Sequence, residues 1–272
     1  MRVVMPLFEF ECSNIESYSF GDCGIAIQPL KENDLDLAEL SKLDAHHINS
    51  ASWALIYDGE DTAYRSIVNL LLMSFRIFLD HSPPFIKYRL SKENNQATSI
   101  NQSMTYNYSA EKERVAYEKT DFMQVEVGFQ HLRKMDATST RTKNALYFLY
   151  RAFHADKWID SFVLMMCSLE SLFSKDALVG ATEAITTRVS SLLGSQTRCT
   201  KSDINNLYDL RSKMTHGRLE ASDDPGGNLK YLEHLEFVTV RCFRELVKRN
   251  AYVHYATKSA RDGFMGTLNT SP

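Results

Sequence analysis

The sequence predicts two parts of different class: an α+β domain over residues 1–135 and an all-α antiparallel helical bundle over residues 136–272, so that the chain is mostly helical overall. Three observations predict this. Short β-rich apolar runs occur only before residue 108. From residue 109 onward one amphipathic helical segment follows another. The breaks between those segments are short and rich in Gly, Pro, Asp, Ser and Thr, which suits antiparallel neighbours better than long crossovers.

Taken in order, "VVMPLFEFEC", "CGIAIQPL", "WALIY" and "FIKYRLS" are short apolar runs with β-branched and aromatic residues, the composition of strands. Residues 61–80, "DTAYRSIVNLLLMSFRIFLD", are apolar on nearly all sides, as a buried helix is. Residues 92–108 carry Asn, Gln, Ser and Thr and predict an exposed loop or a polar edge strand. Helices are expected at 109–135, 140–153, 156–174, 181–194, 201–216 and 228–250, with "DDPGG" the strongest stop signal. Thr138, Ser139 and Thr140 offer an N-cap, which sets the domain boundary near residue 135. Within 156–174, Trp158, Phe162, Met165, Leu169 and Leu172 share one face, while Glu170 falls on a second apolar flank with Ile159, Val163 and Met166. Within 228–250, Leu232, Leu235, Thr239, Phe243 and Leu246 form a stripe that ends in the basic run "VKRN", as suits a helix C-terminus.

Composition narrows the function classes. A net charge of −3, from 31 basic and 34 acidic residues, gives no global basic field, so any RNA or DNA contact is a local site. The five cysteines are scattered without a CxxC pair, which argues against a disulfide framework and a thiolate metal site and points to a reducing cytoplasm. Pro6, Glu9 and Glu11 interrupt the N-terminal apolar stretch, so it does not read as a signal peptide. The most apolar runs, 67–79 and 162–167, are too short or interrupted by Arg76 to cross a bilayer, so no membrane partner is expected. Asp, Glu, His and Cys form no cluster with metal-ligand spacing, and neither a metal nor a cofactor is expected. The pair His46–His47 reads as surface loop.

The segment "LYDLRSKMTHGR", residues 207–218, poses the chemical question. Taking Ile204 as zero and about 100° per residue, Leu207, Tyr208, Thr215 and Arg211 fall on one stripe, with Arg211 near its middle. A buried guanidinium needs an anion, either a carboxylate such as Glu170 or Asp209 or the phosphate of a ligand. His216 lies five residues on, about 140° away around an ideal helix, but Gly217 is the residue type that ends a helix in the left-handed region. The helix end then presents a fixed cation and a titratable one, which suits phosphodiester binding and proton transfer. Spacing alone does not select this pair, because Arg76–His81 and Arg249–His254 share it. The inward Arg and the stop directly after the His do.

"ALYFLYRAF", "SLESLF" at 168–173, "TTRVSSLLG" at 186–194 and "LYDLRSKMTHG" at 207–217, in that order, resemble the ApeA-like branch of the HEPN superfamily (higher eukaryote and prokaryote nucleotide-binding domains). The resemblance covers roughly residues 140–260 and implies a HEPN-type bundle behind an accessory N-terminal domain. It also implies a metal-independent endoribonuclease that dimerises to bring two Arg-x4–6-His motifs into one cleft. On that resemblance Arg211 and His216 are the catalytic residues, with Glu170 and Arg188 as supporting polar positions; the family often has Asn, Asp or His after the Arg, where this chain has Ser212. Ser212, Thr215 and Tyr208 would donate hydrogen bonds to the phosphate. The partners implied are RNA, a second copy of the chain, and an antitoxin or phage-derived trigger. Two other readings stand beside it: a non-catalytic RNA- or nucleotide-binding protein, and a structural dimerisation module.

Overall fold

The computed structural model of the chain describes residues 2–8, 10–31, 48–80, 84–86, 88–91, 96–99, 116–174, 181–194, 199–218 and 226–269. The described chain divides into two compact units, one running up to Gln130 and one from His131 onward.

The first unit is built on an antiparallel sheet. Its strands are β1 (Arg2–Phe8), β2 (Tyr18–Ser19), β3 (Ile25–Pro29), β4 (Trp53–Asp58), β5 (Phe85–Ile86), β6 (Tyr88–Ser91) and β7 (Gln96–Ser99). They run in the order β2-β3-β4-β1-β6-β7, with β5 also paired to β1. The expected runs therefore become β1, β3, β4 and β5–β6, and part of the polar stretch 92–108 is the edge strand β7. The two-residue β2 was not anticipated, because "YS" has no periodicity to read.

Strands β1 and β4 are central, and almost all their residues are buried, as happens when both faces of a strand are covered. Register explains how this works. Val4 faces Ile56 and Pro6 faces Ala54, which places Val4, Ala54 and Ile56 in one cluster with Leu30 and Leu90. The alternate pairs, Val3–Tyr57 and Met5–Leu55, point to the other side. Pro6, which has no N–H, falls where β1 changes partner from β6 (at Val3 and Val4) to β5 (at Leu7 and Phe8). Helix α1 (Asp61–Phe78) is buried on all sides over its last turns, as its sequence predicts. Phe75 joins an aromatic group with Phe20, Tyr117 and Phe122.

Helix α2 spans Lys119–Thr138, where a helix was expected over 109–135. It runs on to the residue before Ser139, and residues 109–115 lie outside the described part. The helical unit then continues with α3 (Thr140–Phe153), α4 (Trp158–Phe173), α5 (Ala181–Leu193), α6 (Lys201–Thr215), α7 (Leu229–Lys248) and α8 (Lys258–Asn269). The expected breaks after α4, α5 and α6 fall largely on residues outside the described part, as does His46–His47. Helix α8 was not expected; its Gly263 and Gly266 weaken the helical signal.

Ser139 caps α3 with a reciprocal box: its Oγ accepts from the Thr142 amide, and Thr142 Oγ1 accepts from the Ser139 amide at 3.1 Å. This fixes where α3 begins, and α3 packs along α4 as a helical hairpin through the short link 154–157. The buried Ser168 hydroxyl donates across that hairpin to the Ala145 carbonyl at 2.8 Å. Trp158, Phe162, Met165, Leu169 and Leu172 form the expected apolar face of α4, and Leu232, Leu235, Phe243 and Leu246 that of α7; all are buried. Among the described residues no helix is long and apolar enough to cross a membrane.

Replacing Ser139 by Ala removes the half of the box that Ser139 Oγ accepts from the Thr142 amide and keeps the half that the residue 139 amide donates to Thr142 Oγ1. The expected loss is about 1 kcal/mol, read as a lower urea midpoint for the helical signal, and an unshifted midpoint would show that the cap does not set the start of α3.

Candidate functional site

Helix α6 is defined at both ends. Thr200 caps its start through a box with Asp203, in which each side chain accepts from the other residue's amide. At the other end His216 is the last residue before the turn, and Gly217 has φ +66° with open space where a Cβ would stand. Glycine is there for its backbone conformation, not for want of room. The Arg218 amide donates to the Lys213 carbonyl at 2.8 Å and the Gly217 amide to Met214 at 3.3 Å, the two bonds of a Schellman stop.

Ile204, Leu207, Tyr208 and Leu210 make the buried face of α6. Arg211 lies at its edge and pairs with Glu170 of α4 as a fork: Nη1 is 3.0 Å from Oε1, and Nη2 donates to Oε2 at 3.2 Å. The partner is thus Glu170 rather than Asp209, which is exposed. The pair is partly open to solvent, with the Arg211 side chain 32% and the Glu170 side chain 27% exposed. Burial pushes the Glu170 carboxyl above its ordinary range, and Arg211 acts in the opposite direction without restoring it. Desolvation therefore outweighs attraction here, as is common for ion pairs withdrawn from water.

At this pair two buried polar atoms, the Tyr208 hydroxyl and Arg211 Nε, have no hydrogen-bond partner among the described residues. Burial, then the negative charge of Glu170, raises the Tyr208 phenol and keeps it neutral. Cys167, half-buried, is raised by burial and by the same carboxylate. It went unnoticed in the sequence, although it stands three residues before Glu170, the spacing that puts both on one helix face.

The remaining expected residues fall elsewhere. Thr215 is exposed, not inward: its hydroxyl donates back to the Arg211 and Ser212 carbonyls at 3.1 and 3.3 Å, because the last turn of α6 runs past the core. Ser212 is exposed too. His216 is exposed, and its ring has no partner among the described residues. Arg188, expected beside Glu170, is 5% exposed and bound otherwise: Nη1 donates to the Phe173 carbonyl at 2.6 Å and Nε to Asn269 Oδ1 at 3.2 Å. It closes the C-terminal end of α4, and no hydrogen bond joins it to Arg211 or Glu170. The structure thus brings together Arg211, Glu170 and Tyr208 and sets Arg188 apart.

The rival pairs have structural partners or cannot be followed. Arg249 bonds Glu245 at 3.0 Å and the Leu192 carbonyl at 2.8 Å, while His254 stacks on Phe264. Arg76 is buried in α1, and His81 lies outside the described residues. Among the described residues no group of three or more His, Cys, Asp or Glu could hold a metal ion.

Comparison with known proteins is silent. No family model, curated protein or solved structure matches the chain.

The raised Glu170 carboxyl makes a signed prediction. A carboxyl that holds its proton more tightly folded than unfolded contributes stability below the ordinary carboxylate range, and that contribution is lost as pH rises through the raised value. Urea denaturation of wild type and Glu170→Gln between about pH 4 and pH 7 should show the wild type losing stability relative to the variant as pH rises. A wild type that instead gains stability relative to the variant as pH rises would mean that Arg211, not burial, governs this carboxyl.

Proposed function

We propose that the helical unit belongs to a metal-independent, HEPN-type endoribonuclease that works as a homodimer in the cytoplasm, with Arg211 and His216 as its acting residues. The observation that carries this reading is the end of α6: an exposed imidazole without a partner among the described residues stands at a Schellman stop, five residues after a partly open guanidinium held by a carboxylate fork. A positioned cation and a titratable group on one rigid helix end are what metal-free RNA cleavage requires. The 2′-hydroxyl attacks the adjacent phosphorus, and His216 takes the hydroxyl proton or, from the second subunit, delivers a proton to the leaving 5′-oxygen. Arg211 offsets the charge that builds on the phosphorane. The products are a 2′,3′-cyclic phosphate and a free 5′-hydroxyl. RNA is the substrate, and an antitoxin or phage-derived trigger is the class of regulator this chemistry calls for.

The Arg211–Glu170 fork also favours a second reading, in which both terminal guanidinium nitrogens staple α4 to α6 and the chain binds RNA or a nucleotide without cutting, or serves only as a dimerisation module.

Labelled RNA incubated with the protein in EDTA separates these. Wild type should cut and leave cyclic phosphate ends, and His216→Ala should slow cutting by about 100-fold or more. Equal cutting by both ends the assignment. No cutting by either, with a lowered denaturation midpoint in Arg211→Ala, leaves the staple reading in its place.

A further inference from the structure

The fork between Arg211 and Glu170 leaves the Tyr208 hydroxyl unexplained. Tyr208 is 5% exposed, and its oxygen is buried with no hydrogen-bond partner among the described residues. Phenylalanine would fill the same space without that cost, since removing an unpaired buried hydroxyl is neutral or favourable. A phenol kept there calls for a partner in another state of the site.

Its neighbours identify that partner. Tyr208 precedes Arg211 by three residues on α6, and Cys167 precedes Glu170 by three on α4, spacings that put each pair on one helix face. The four groups lie within electrostatic reach of one another, because Glu170 and Arg211 both act on the Tyr208 phenol and on the Cys167 thiol. Burial, then Glu170, raises the phenol, so it keeps its proton and can donate it in a hydrogen bond. In the fork each Glu170 oxygen takes one guanidinium nitrogen, at 3.0 and 3.2 Å, and a carboxylate oxygen has room for a second donor. Of the uncharged donors in this cluster the phenol is the stronger, since a thiol donates weakly.

Arg211, by contrast, is able to leave. Its side chain is 32% exposed, so an oxyanion arriving from solvent can compete with Glu170 for the terminal nitrogens. Withdrawing the guanidinium would strand a carboxylate whose charged form burial already disfavours. A hydrogen bond from Tyr208 offsets that loss.

We propose that Tyr208 is a positioning residue whose hydroxyl turns to Glu170 and holds the carboxylate when Arg211 leaves the fork for the phosphate of a bound polynucleotide. Tyr208 then donates to the carboxylate and not to the phosphate, from which its buried oxygen is shut off. The phosphate's part rests on the RNA reading above; the exchange of donors at Glu170 does not.

Urea denaturation of a double-mutant cycle tests the exchange. Tyr208→Phe should leave the wild-type midpoint unchanged or raise it, because the hydroxyl is idle there. In an Arg211→Met background, which keeps the aliphatic stem and removes the guanidinium, the same change should lower the midpoint. Arg211→Gln is the background if Arg211→Met fails to fold. An equal fall in both backgrounds, or no fall where Arg211 is absent, overturns the proposal. Binding of a fully 2′-O-methylated single-stranded RNA, which cannot be cut, reads the phosphate's part. Tyr208→Phe should weaken it about tenfold at undiminished stability, an effect that a merely structural tyrosine would not produce. Wild-type binding that Tyr208→Phe leaves unchanged also overturns the proposal. No binding by the wild type, with the cycle as expected, removes the RNA reading and leaves the exchange standing.

Discussion

The fork between Arg211 and Glu170 is the constraint around which the helical unit's polar interior is arranged. Helix α6 packs chiefly on α5, and among the described residues this fork is a charged bridge that ties it to α4. Its geometry is two-pronged, yet burial still dominates the carboxyl. Such a pair adds little to stability; apolar residues of similar volume would hold two helices as well. The Tyr208 hydroxyl and Arg211 Nε, both without hydrogen-bond partners among the described residues, add further cost. Groups this expensive fit a chemical role for the cluster better than a purely mechanical one.

The placement of Arg211 and His216 depends on the ends of α6. The Thr200–Asp203 box fixes the helix start, and with it the angular position of every later residue, including Arg211. Gly217 fixes the stop, which turns His216 from a helical residue into a cap whose ring reaches solvent. One more turn of helix would keep the imidazole about 140° from the arginine. The stop frees it from that spacing.

Much of this was legible beforehand because it is local. The Ser139 cap, the left-handed Gly217 and the apolar faces of α4 and α7 each follow from a short window read at helical or turn spacing, whereas the choice between Glu170 and Asp209 as the partner of Arg211 stayed open until the fold set Glu170 against it from 41 residues away. What escaped reading is long-range or weakly patterned. Arg188 sits on an amphipathic segment that says nothing of the Phe173 carbonyl it caps. Thr215 falls on the inward stripe by angle alone, but angle carries no information on where the core ends along the helix axis. Helix α8 hides behind two glycines.

The sheet of the first unit bears on how copies of this chain can meet. Among the described residues its outermost strands are β2, only Tyr18–Ser19, and β7, Gln96–Ser99, whose sequence is polar apart from Ala97. Edges this short and hydrophilic offer a poor template for a foreign strand, so the sheet resists being extended into a fibre or a continuous intermolecular β-layer. Any contact that copies of the chain make would then draw on side chains rather than on backbone ladders.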